Sequence, residues 1–271
     1  MISGTGEKVS GSNDAARSPF WFNGQDQLGF SPALLEFAWG KRLSFNGSKR
    51  RLSGLPVVPN PKPVTVTFKK VGRWTYYCNV HAGMKGTVNV RPKSARVPSA
   101  RADRRAVARQ VARSLRTAKR LAKKRAPAGV VEVGVAGSHG EEYFAMVPSA
   151  VTVPRGSTLT FRMSSGSYDV HTATTGPGDP ERQPSSYLGR LAGSFNGAVL
   201  DPRAVYQSEP PTTTASLTPT LHGNGFWNTG VMDGSSDTPL PASNAVTFGA
   251  PGSYDFYCLI HPFMKTTVTV Q

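Results

Sequence analysis

The sequence predicts an all-β fold in which two copies of one domain are joined by a basic amphipathic α-helix. The pattern of residues 72–90 is repeated 180 positions later in residues 252–270, with the aromatic, Cys, His and Met residues at equivalent positions. In both copies short apolar runs alternate with polar residues, as in strands with one buried face. Only residues 101–124 have apolar side chains at helical spacing. Because a repeat of this kind marks a duplicated domain, the 271 residues divide into two domains and a linker.

The first domain is predicted over residues 1–92. Residues 1–24 are polar and rich in Gly, Ser and Asn, and we expect mobile chain there. Scattered apolar residues between positions 28 and 60 indicate one or two short strands. Three further strands are predicted over residues 63–70, 73–78 and 86–90.

The linker, residues 93–127, contains most of the charge. Residues 91–125 include fourteen Lys or Arg and one acidic residue, Asp103, so the domains themselves are nearly balanced within the net charge of +16. The apolar positions of the predicted helix 101–124 form a narrow stripe, ending before Pro127. One interpretation is an interdomain helix that packs on a β domain. The other is contact between the helix and an anionic partner, which would be an acidic polymer, a membrane surface, nucleic acid or an acidic redox partner. The stripe consists of Val107, Val111, Leu115, Ala118, Leu121 and Ala122.

The second domain is predicted over residues 128–271. Its first strands are predicted over residues 130–135, 143–147, 150–153 and 158–163. Residues 175–219 are rich in Gly, Pro, Ser and Thr, and we expect a long insertion with little regular structure there.

A short loop in each copy carries side chains that bind soft metal ions. In the second copy these are Cys258, His261 and Met264, spaced C-x2-H-x2-M between two predicted strands. The set suits copper, because one Cys and two His ligands with a weak axial Met form a blue-copper electron-transfer site. Structural zinc sites favour several thiolates or a Cys2His2 set. A Cys78–Cys258 disulfide is the competing interpretation of the two cysteines. The equivalent residues of the first copy are Cys78, His81 and Met84.

The flanking pattern V-T-F…G-x-(Y/W)-x-(Y/F)-Y-C-x-x-H-x-x-M resembles that of the cupredoxins of the plastocyanin and azurin class, over about the last quarter of each half. The loop CLIHPFMK is most similar to the short ligand loop of amicyanin. The resemblance implies antiparallel Greek-key β-sandwiches. The segment V-P-S-A-V-T-V-P-R-G-S-T-L-T-F before His171 resembles the front half of the same fold, which implies that His171 is the upstream ligand. His139 and His222 stay open as alternatives.

The resemblance also implies which residues act in the second domain. Copper would be held by His171, Cys258, His261 and Met264 and would cycle between Cu(I) and Cu(II). The electron port would comprise His261, Pro262 and Phe263.

The first copy is expected to hold an incomplete second metal site, because no histidine precedes His81. The counterpart of His171 would fall before Met1, so we expect this domain to lack its N-terminal half. A truncated N-terminus would explain this and would also remove an export signal, of which none is visible. The resemblance implies a location outside the cytoplasm, whether periplasmic, secreted or on the cell surface. No apolar run reaches the ~18–20 residues of a membrane span.

The expected function is one-electron transfer between redox protein partners, including acidic ones. Copper handling without electron transfer is one alternative, and an anionic-surface-binding module built on the basic helix is the other. Membrane-surface contact through residues 101–124 is compatible with either, whereas nucleic-acid binding is not expected. No catalytic residues are expected either. Multicopper enzymes of this type have H-x-H pairs and a His beside the Cys ligand, where this chain has Tyr77 and Tyr257.

Overall fold

The computed structural model describes residues 2–3, 20–21, 28–30, 38–54, 60–78, 85–138, 140–197, 199–208, 216–234 and 240–271. These residues are mostly β-sheet with few helices. The elements of the first part are β1 (Ile2–Ser3), β2 (Phe20–Trp21), β3 (Leu28–Phe30), β4 (Arg42–Phe45), β5 (Thr65–Phe68), β6 (Gly72–Tyr77), β7 (Lys85–Val90) and α1 (Ala100–Leu121).

The elements of the second part begin at residue 130. They are β8 (Val130–Ala136), β9 (Glu142–Val147), β10 (Ala150–Val153), β11 (Thr158–Met163), β12 (Val170–His171), β13 (Thr174–Thr175), α2 (Tyr187–Ser194), β14 (Val199–Leu200), α3 (Pro202–Val205), β15 (Ser216–Leu217), a 3-10 turn (Leu221–Gly223), β16 (Trp227–Asn228), β17 (Met232–Asp233), β18 (Ser243–Phe248), β19 (Gly252–Tyr257) and β20 (Lys265–Val270). The bounds predicted for the strands 150–153 and 158–163 agree with those of β10 and β11 in the structure.

Two five-stranded sheets of the second part enclose one apolar core. Their strand orders are β15-β18-β11-β8-β9 and β10-β20-β19-β13-β16. Alternate side chains from both sheets meet in this core, among them Val133, Phe161, Phe248, Phe256 and Val268. Burial of each large apolar side chain contributes about 1.5–3 kcal/mol, so the packing between the sheets fixes the strands that carry the site.

The expectation of antiparallel sheets is wrong for three strand pairs of the second part. Strands β8 and β11, β10 and β20, and β15 and β18 run parallel. Each of these pairs joins strands that are not consecutive in the chain, and parallel neighbours require such a crossover connection. The sheets are therefore mixed.

The hairpin β6–β7 repeats the register of the hairpin β19–β20. Gly72 pairs with Val90 in the first hairpin, and Gly252 pairs with Val270 in the second. The strand before each hairpin also has a parallel partner. Strand β5, before the first hairpin, pairs with β4, and strand β18, before the second, pairs with β15. The sequence repeat thus corresponds to matching strand pairs.

A side-chain contact repeats with the same offset. Trp74 donates its Nε1–H to the carbonyl of Lys70 at 3.2 Å, and Tyr254 donates its hydroxyl to the carbonyl of Ala250 at 2.9 Å. The surroundings differ, since no residue of β5, β6 or β7 is fully buried, whereas β18, β19 and β20 contribute to the apolar core. The same local pattern therefore lies in a more exposed sheet in the first copy.

Helix α1 begins at a side-chain cap and packs against the second part only near its C-terminal end. Ser99 Oγ accepts a hydrogen bond from the backbone N–H of Ala102 at 3.2 Å, which satisfies one of the unpaired groups of the first turn. Thr117 and Leu121 are buried. Just past the helix, Lys124 Nζ lies 2.7 Å from a carboxylate oxygen of Glu132.

The middle of α1 leaves its apolar stripe uncovered. Val107, Val111 and Leu115 are 56%, 53% and 58% exposed. The interpretation that the whole stripe packs on a β domain is therefore wrong for this part of the helix. No helix of the described residues is long and apolar enough to cross a membrane.

The insertion contains more regular structure than the sequence predicts. Helix α2 is capped by Ser186, and it buries Leu188 and Leu191 in a second apolar cluster with Phe226 and Tyr257. Strand β14 pairs with β3, which in turn pairs with β2. The expectation of little regular structure between residues 175 and 219 is therefore wrong for its described residues.

Candidate metal centre

Two segments that lie 87 residues apart in the sequence bring a cysteine and two histidines together. Cys258 directly follows β19, His171 ends β12, and His261 lies in the loop between β19 and β20. Cys258 and His171 are fully buried, whereas the His261 side chain is 20% exposed. The group is therefore closed toward the core and open on the side of His261.

The three donor atoms form a compact triangle. Cys258 Sγ lies 3.6 Å from His171 Nδ1 and 3.8 Å from His261 Nδ1, and the two nitrogens are 3.0 Å apart. A circle through atoms so spaced has a radius of about 2.0 Å, close to the ~2.0–2.1 Å and ~2.3 Å at which imidazole nitrogen and thiolate sulfur bind zinc. The spacing therefore fits one metal ion bound by all three atoms. One thiolate with two imidazoles is the donor set of blue-copper sites.

The loop from Cys258 to Met264 is held by its own backbone. The Cys258 N–H donates to the Met264 carbonyl at 3.1 Å, and the Met264 N–H donates to the His261 carbonyl at 2.9 Å. Met264 is 1% exposed and belongs to the same apolar core as Cys258. The fourth predicted ligand is thus fixed to the backbone of the other two loop residues.

Thr172 ties the segment of His171 to the cysteine. Its backbone N–H donates to Cys258 Sγ at 3.4 Å, and its hydroxyl oxygen accepts from the Leu259 N–H at 2.8 Å. Both contacts join β12 to the end of β19. A hydrogen bond to sulfur also favours the thiolate that a metal ligand must supply.

The charges of the group suit metal binding. Burial raises the pKa of Cys258, but hydrogen bonds and charge interactions with His171 and His261 lower it to about 5. Burial lowers the pKa of His171, whereas its contacts with Cys258 and Glu142 raise it to about 10. Without a metal ion, a thiolate beside an imidazolium is therefore expected at neutral pH, and a metal ion would displace the imidazolium proton.

Glu142 is a component of the site that the sequence analysis missed. Its Oε1 lies 3.1 Å from His171 Nε2, the ring nitrogen opposite the donor triangle. Both side chains are fully buried. Burial raises the pKa of Glu142, but hydrogen bonds from His171 and Ser167 lower it below its ordinary value. A carboxylate therefore supports His171 from outside the triangle.

Gly134 provides the space for this contact. It lies in β8 where the register with β9 shifts, and its φ is +74°. A Cβ atom on Gly134 would come within 2.6 Å of Glu142 Oε1 and 2.7 Å of His171 Nε2. The glycine in the apolar run VVEVGVA was the available signal, because an isolated glycine in a strand indicates a bulge or a close approach.

A second carboxylate lies beside the other histidine. Asp169 Oδ2 is 3.6 Å from His261 Nε2, and the Asp169 side chain is 10% exposed. The distance is longer than a hydrogen bond, so the contact is electrostatic. Each of the two imidazoles thus has a carboxylate near the nitrogen that faces away from Cys258.

The predicted electron port lies on the open side of the group. Phe263 is 57% exposed, and its ring centre is 6.1 Å from that of His261. Pro262 is half-buried. Phe144 closes the other side, with its ring centre 4.8 Å from His261.

Of the other sequence candidates, the structure describes His222 and Cys78. His222 is exposed in the 3-10 turn, and His139 lies outside the described residues. Of the first-copy set, Cys78 follows β6 and is half-buried, while His81 and Met84 lie outside the described residues. Cys78 and Cys258 are not joined by a disulfide.

Comparison with known proteins finds similarity only to solved structures. No family model matches the chain, and no curated protein matches it. Among solved structures, a reduced Cu(I) form of an amicyanin variant at pH 4 has 16% identity and a TM-score of 0.28, covering 56% of this chain and 89% of its own. Amicyanin from Paracoccus versutus (Thiobacillus versutus) has 18% identity and a TM-score of 0.27, covering 56% of this chain and 88% of its own. At these values the likeness does not decide the function.

Proposed function

We propose that this chain is a type 1 copper protein that carries single electrons between protein partners. The observation that supports this proposal is the triangle of His171 Nδ1, His261 Nδ1 and Cys258 Sγ, whose atoms are 3.0–3.8 Å apart. Copper bound there would supply a Cu(I)/Cu(II) couple. Met264 would act as the weak axial ligand.

The surrounding residues suit electron transfer. Cys258 directly follows β19 of a five-stranded sheet, β12 with His171 pairs with β17, and Thr172 bridges the two segments. Rigid ligands change position little when the charge of the site changes. His261, Pro262 and Phe263 would form the port through which a partner exchanges the electron, because this side of the group is open.

Copper stoichiometry with a visible spectrum tests the site. We expect one copper per chain and an intense thiolate-to-copper absorption band. Cys258→Ser should abolish the band, whereas Cys78→Ser is the matched control and should leave it intact. A band that survives Cys258→Ser would overturn the assignment.

Electrochemistry separates electron transfer from copper handling. An electron carrier gives a reversible potential and exchanges electrons with a redox partner while it retains its metal. A copper-handling protein takes up Cu(I) tightly and passes on the metal itself. Loss of copper to an acceptor in each cycle would refute electron transfer.

The proposal also covers the organisation of the chain. Matching hairpin registers support two copies of one domain, an incomplete one over residues 1–92 and a complete one over residues 128–271 with the insertion 175–219. Helix α1 would lie in the linker 93–127 between them. The proposed location is outside the cytoplasm, where redox partners of this class act.

Attachment to anionic lipid surfaces is a second candidate function, favoured by the uncovered stripe of α1. Val107, Val111 and Leu115 are more than half exposed, and the flanking Arg and Lys side chains are exposed as well. An apolar stripe bordered by cations is typical of helices that lie in a membrane interface. Each Lys or Arg near an anionic surface contributes about 1 kcal/mol at moderate salt.

Vesicle sedimentation tests the second candidate. We expect binding to vesicles with anionic lipid that weakens as salt is raised, and little binding to neutral vesicles. Replacing the stripe by Val107→Ser, Val111→Ser and Leu115→Ser should reduce binding. Val71→Ser is the control, since Val71 is 52% exposed outside the helix. Equal binding to both kinds of vesicle would refute the proposal.

A further inference from the structure

We infer that Glu142 is a positioning residue that holds His171 with Nδ1 toward the metal and biases the site toward oxidised copper. This inference rests on the proposed copper site. It concerns a residue that touches no donor atom of the triangle and that contacts the site through His171.

The carboxylate of Glu142 is fixed on both oxygens. Oε1 is 3.1 Å from His171 Nε2 and accepts a short hydrogen bond from Ser167 Oγ. Oε2 accepts from the backbone N–H groups of Tyr168 and Asp169, each at 3.3 Å. These donors lie in the loop before β12, so the carboxylate connects β9 to the segment that presents His171.

The Nε2 contact determines which nitrogen of His171 can bind a metal. A neutral imidazole has one N–H and one lone pair, and an ionised carboxylate can only accept. The hydrogen therefore resides on Nε2, and the lone pair resides on Nδ1. Nδ1 is the nitrogen that faces Cys258 Sγ and His261 Nδ1.

The charge of Glu142 also bears on the oxidation state. The side chain is fully buried, so its negative charge is poorly screened by water. It stabilises a Cu(II) site more than a Cu(I) site, because the metal carries one more positive charge. Asp169 acts in the same direction at His261, but it lies closer to solvent and at 3.6 Å. The reduction potential is thus lower than it would be without Glu142.

The backbone is built around this pair. At Gly134 a Cβ atom would overlap both Glu142 Oε1 and His171 Nε2, and the register between β8 and β9 shifts at this position. The two polar side chains therefore occupy a space that only glycine leaves open.

Glu142→Gln tests the role with little change in volume. We expect metal affinity to fall about 10–100-fold, as is usual when the supporting partner of a metal-binding histidine is lost. Cu(II) affinity should fall more than Cu(I) affinity, so the potential should rise. Glu132→Gln is the matched control, since Glu132 is a buried carboxylate of the neighbouring strand β8 that pairs with Lys124 and Arg162. It should leave the potential unchanged.

The reduction potential and a hydrogen-exchange measurement together separate this inference from the proposed function. A merely structural role would weaken both oxidation states equally and leave the potential at the wild-type value, which would overturn the inference. In the metal-free protein the Nε2–H of His171 should exchange slowly with solvent, and Glu142→Gln should speed the exchange in an NMR measurement. If wild-type protein forms no copper site, the proposed function fails, while unchanged exchange in Glu142→Gln would refute the pairing itself.

Discussion

Gly134→Ala should impair the site without a change to any proposed ligand. An alanine at φ +74° adopts a left-handed conformation that costs about 1–2 kcal/mol. Its Cβ would also crowd Glu142 Oε1 at 2.6 Å and His171 Nε2 at 2.7 Å, closer than Cβ atoms approach other groups. Separation of that pair removes a charge-assisted hydrogen bond of about 1.5–3 kcal/mol. The expected loss of stability is about 2.5–5 kcal/mol.

Gly156→Ala supplies the matched control. Gly156 has a similar φ of +83°, but a Cβ there meets nothing within 4 Å. It should therefore cost only the left-handed conformation, about 1–2 kcal/mol. The difference between the two variants isolates the crowding of Glu142 and His171 from backbone strain.

Denaturant unfolding of the metal-free variants, followed by copper titration, measures both effects. Gly134→Ala should lose more unfolding free energy than Gly156→Ala, and only Gly134→Ala should bind copper more weakly. Native domains are stable by about 5–15 kcal/mol, so the loss leaves all but the least stable of them folded. Equal losses in stability with equal copper affinities would refute the role of the bulge.

Three further predictions concern the same domain. Met264→Leu should retain copper and raise the potential in voltammetry, because a weak axial donor is lost; complete loss of copper would contradict this role. Copper binding at pH 7 should release about one proton, since Cys258 with a pKa of about 5 is already a thiolate while His171 with a pKa of about 10 is protonated. Calorimetry in buffers of different ionisation enthalpy counts the released protons. Release of two protons would exclude the thiolate. The pKa of Glu132 is raised by burial but lowered by more through Lys124 and Arg162. Its stabilising contribution, about 1 kcal/mol for half-exposed cations, is therefore present above its unfolded pKa and lost as pH falls through the lower folded pKa. Unfolding curves should show Glu132→Gln less stable than wild type at pH 7 and equal to it near pH 2; a gap that persists at low pH would refute the charge effect.

The local pattern of the sequence predicted the elements that meet at the site. Strands with alternating apolar residues were located within a few residues, and the ligand spacing C-x2-H-x2-M identified the loop between β19 and β20. Local pattern determines strand register, because a slip by one residue would turn the apolar face outward. Both hairpins accordingly have the same register.

The rest of the site depends on contacts between distant segments. Glu142 lies 29 residues before His171 on another strand, and no spacing rule links them. Asp169 is close to His171 in sequence, yet it lies beside His261 because β12 ends at the loop of Cys258. Supporting residues of this kind become visible only when the strands are assembled.

The burial of a side chain also depends on the layer that packs against its strand. Trp74 and Tyr254 occupy equivalent positions and make equivalent hydrogen bonds to backbone carbonyls. Yet Tyr254 is buried between two sheets, whereas the strand of Trp74 has no fully buried residue. A β-strand buries an apolar face only against a second layer, and the sequence of a strand does not contain that layer.

The same reasoning applies to the two sequence segments that share the spacing C-x2-H-x2-M. The loop from Cys258 to Met264 supplies a thiolate, an imidazole and a thioether, but the third donor of the triangle, His171, comes from β12 and is supported by Glu142 from β9. A metal site of this class therefore requires the strands of the front half as well as the loop. A metal site at Cys78 would need a third donor from outside the first copy, because His81 is the only histidine in residues 1–92. The number of copper ions per chain therefore measures directly whether the repeated loop alone is enough to form a site.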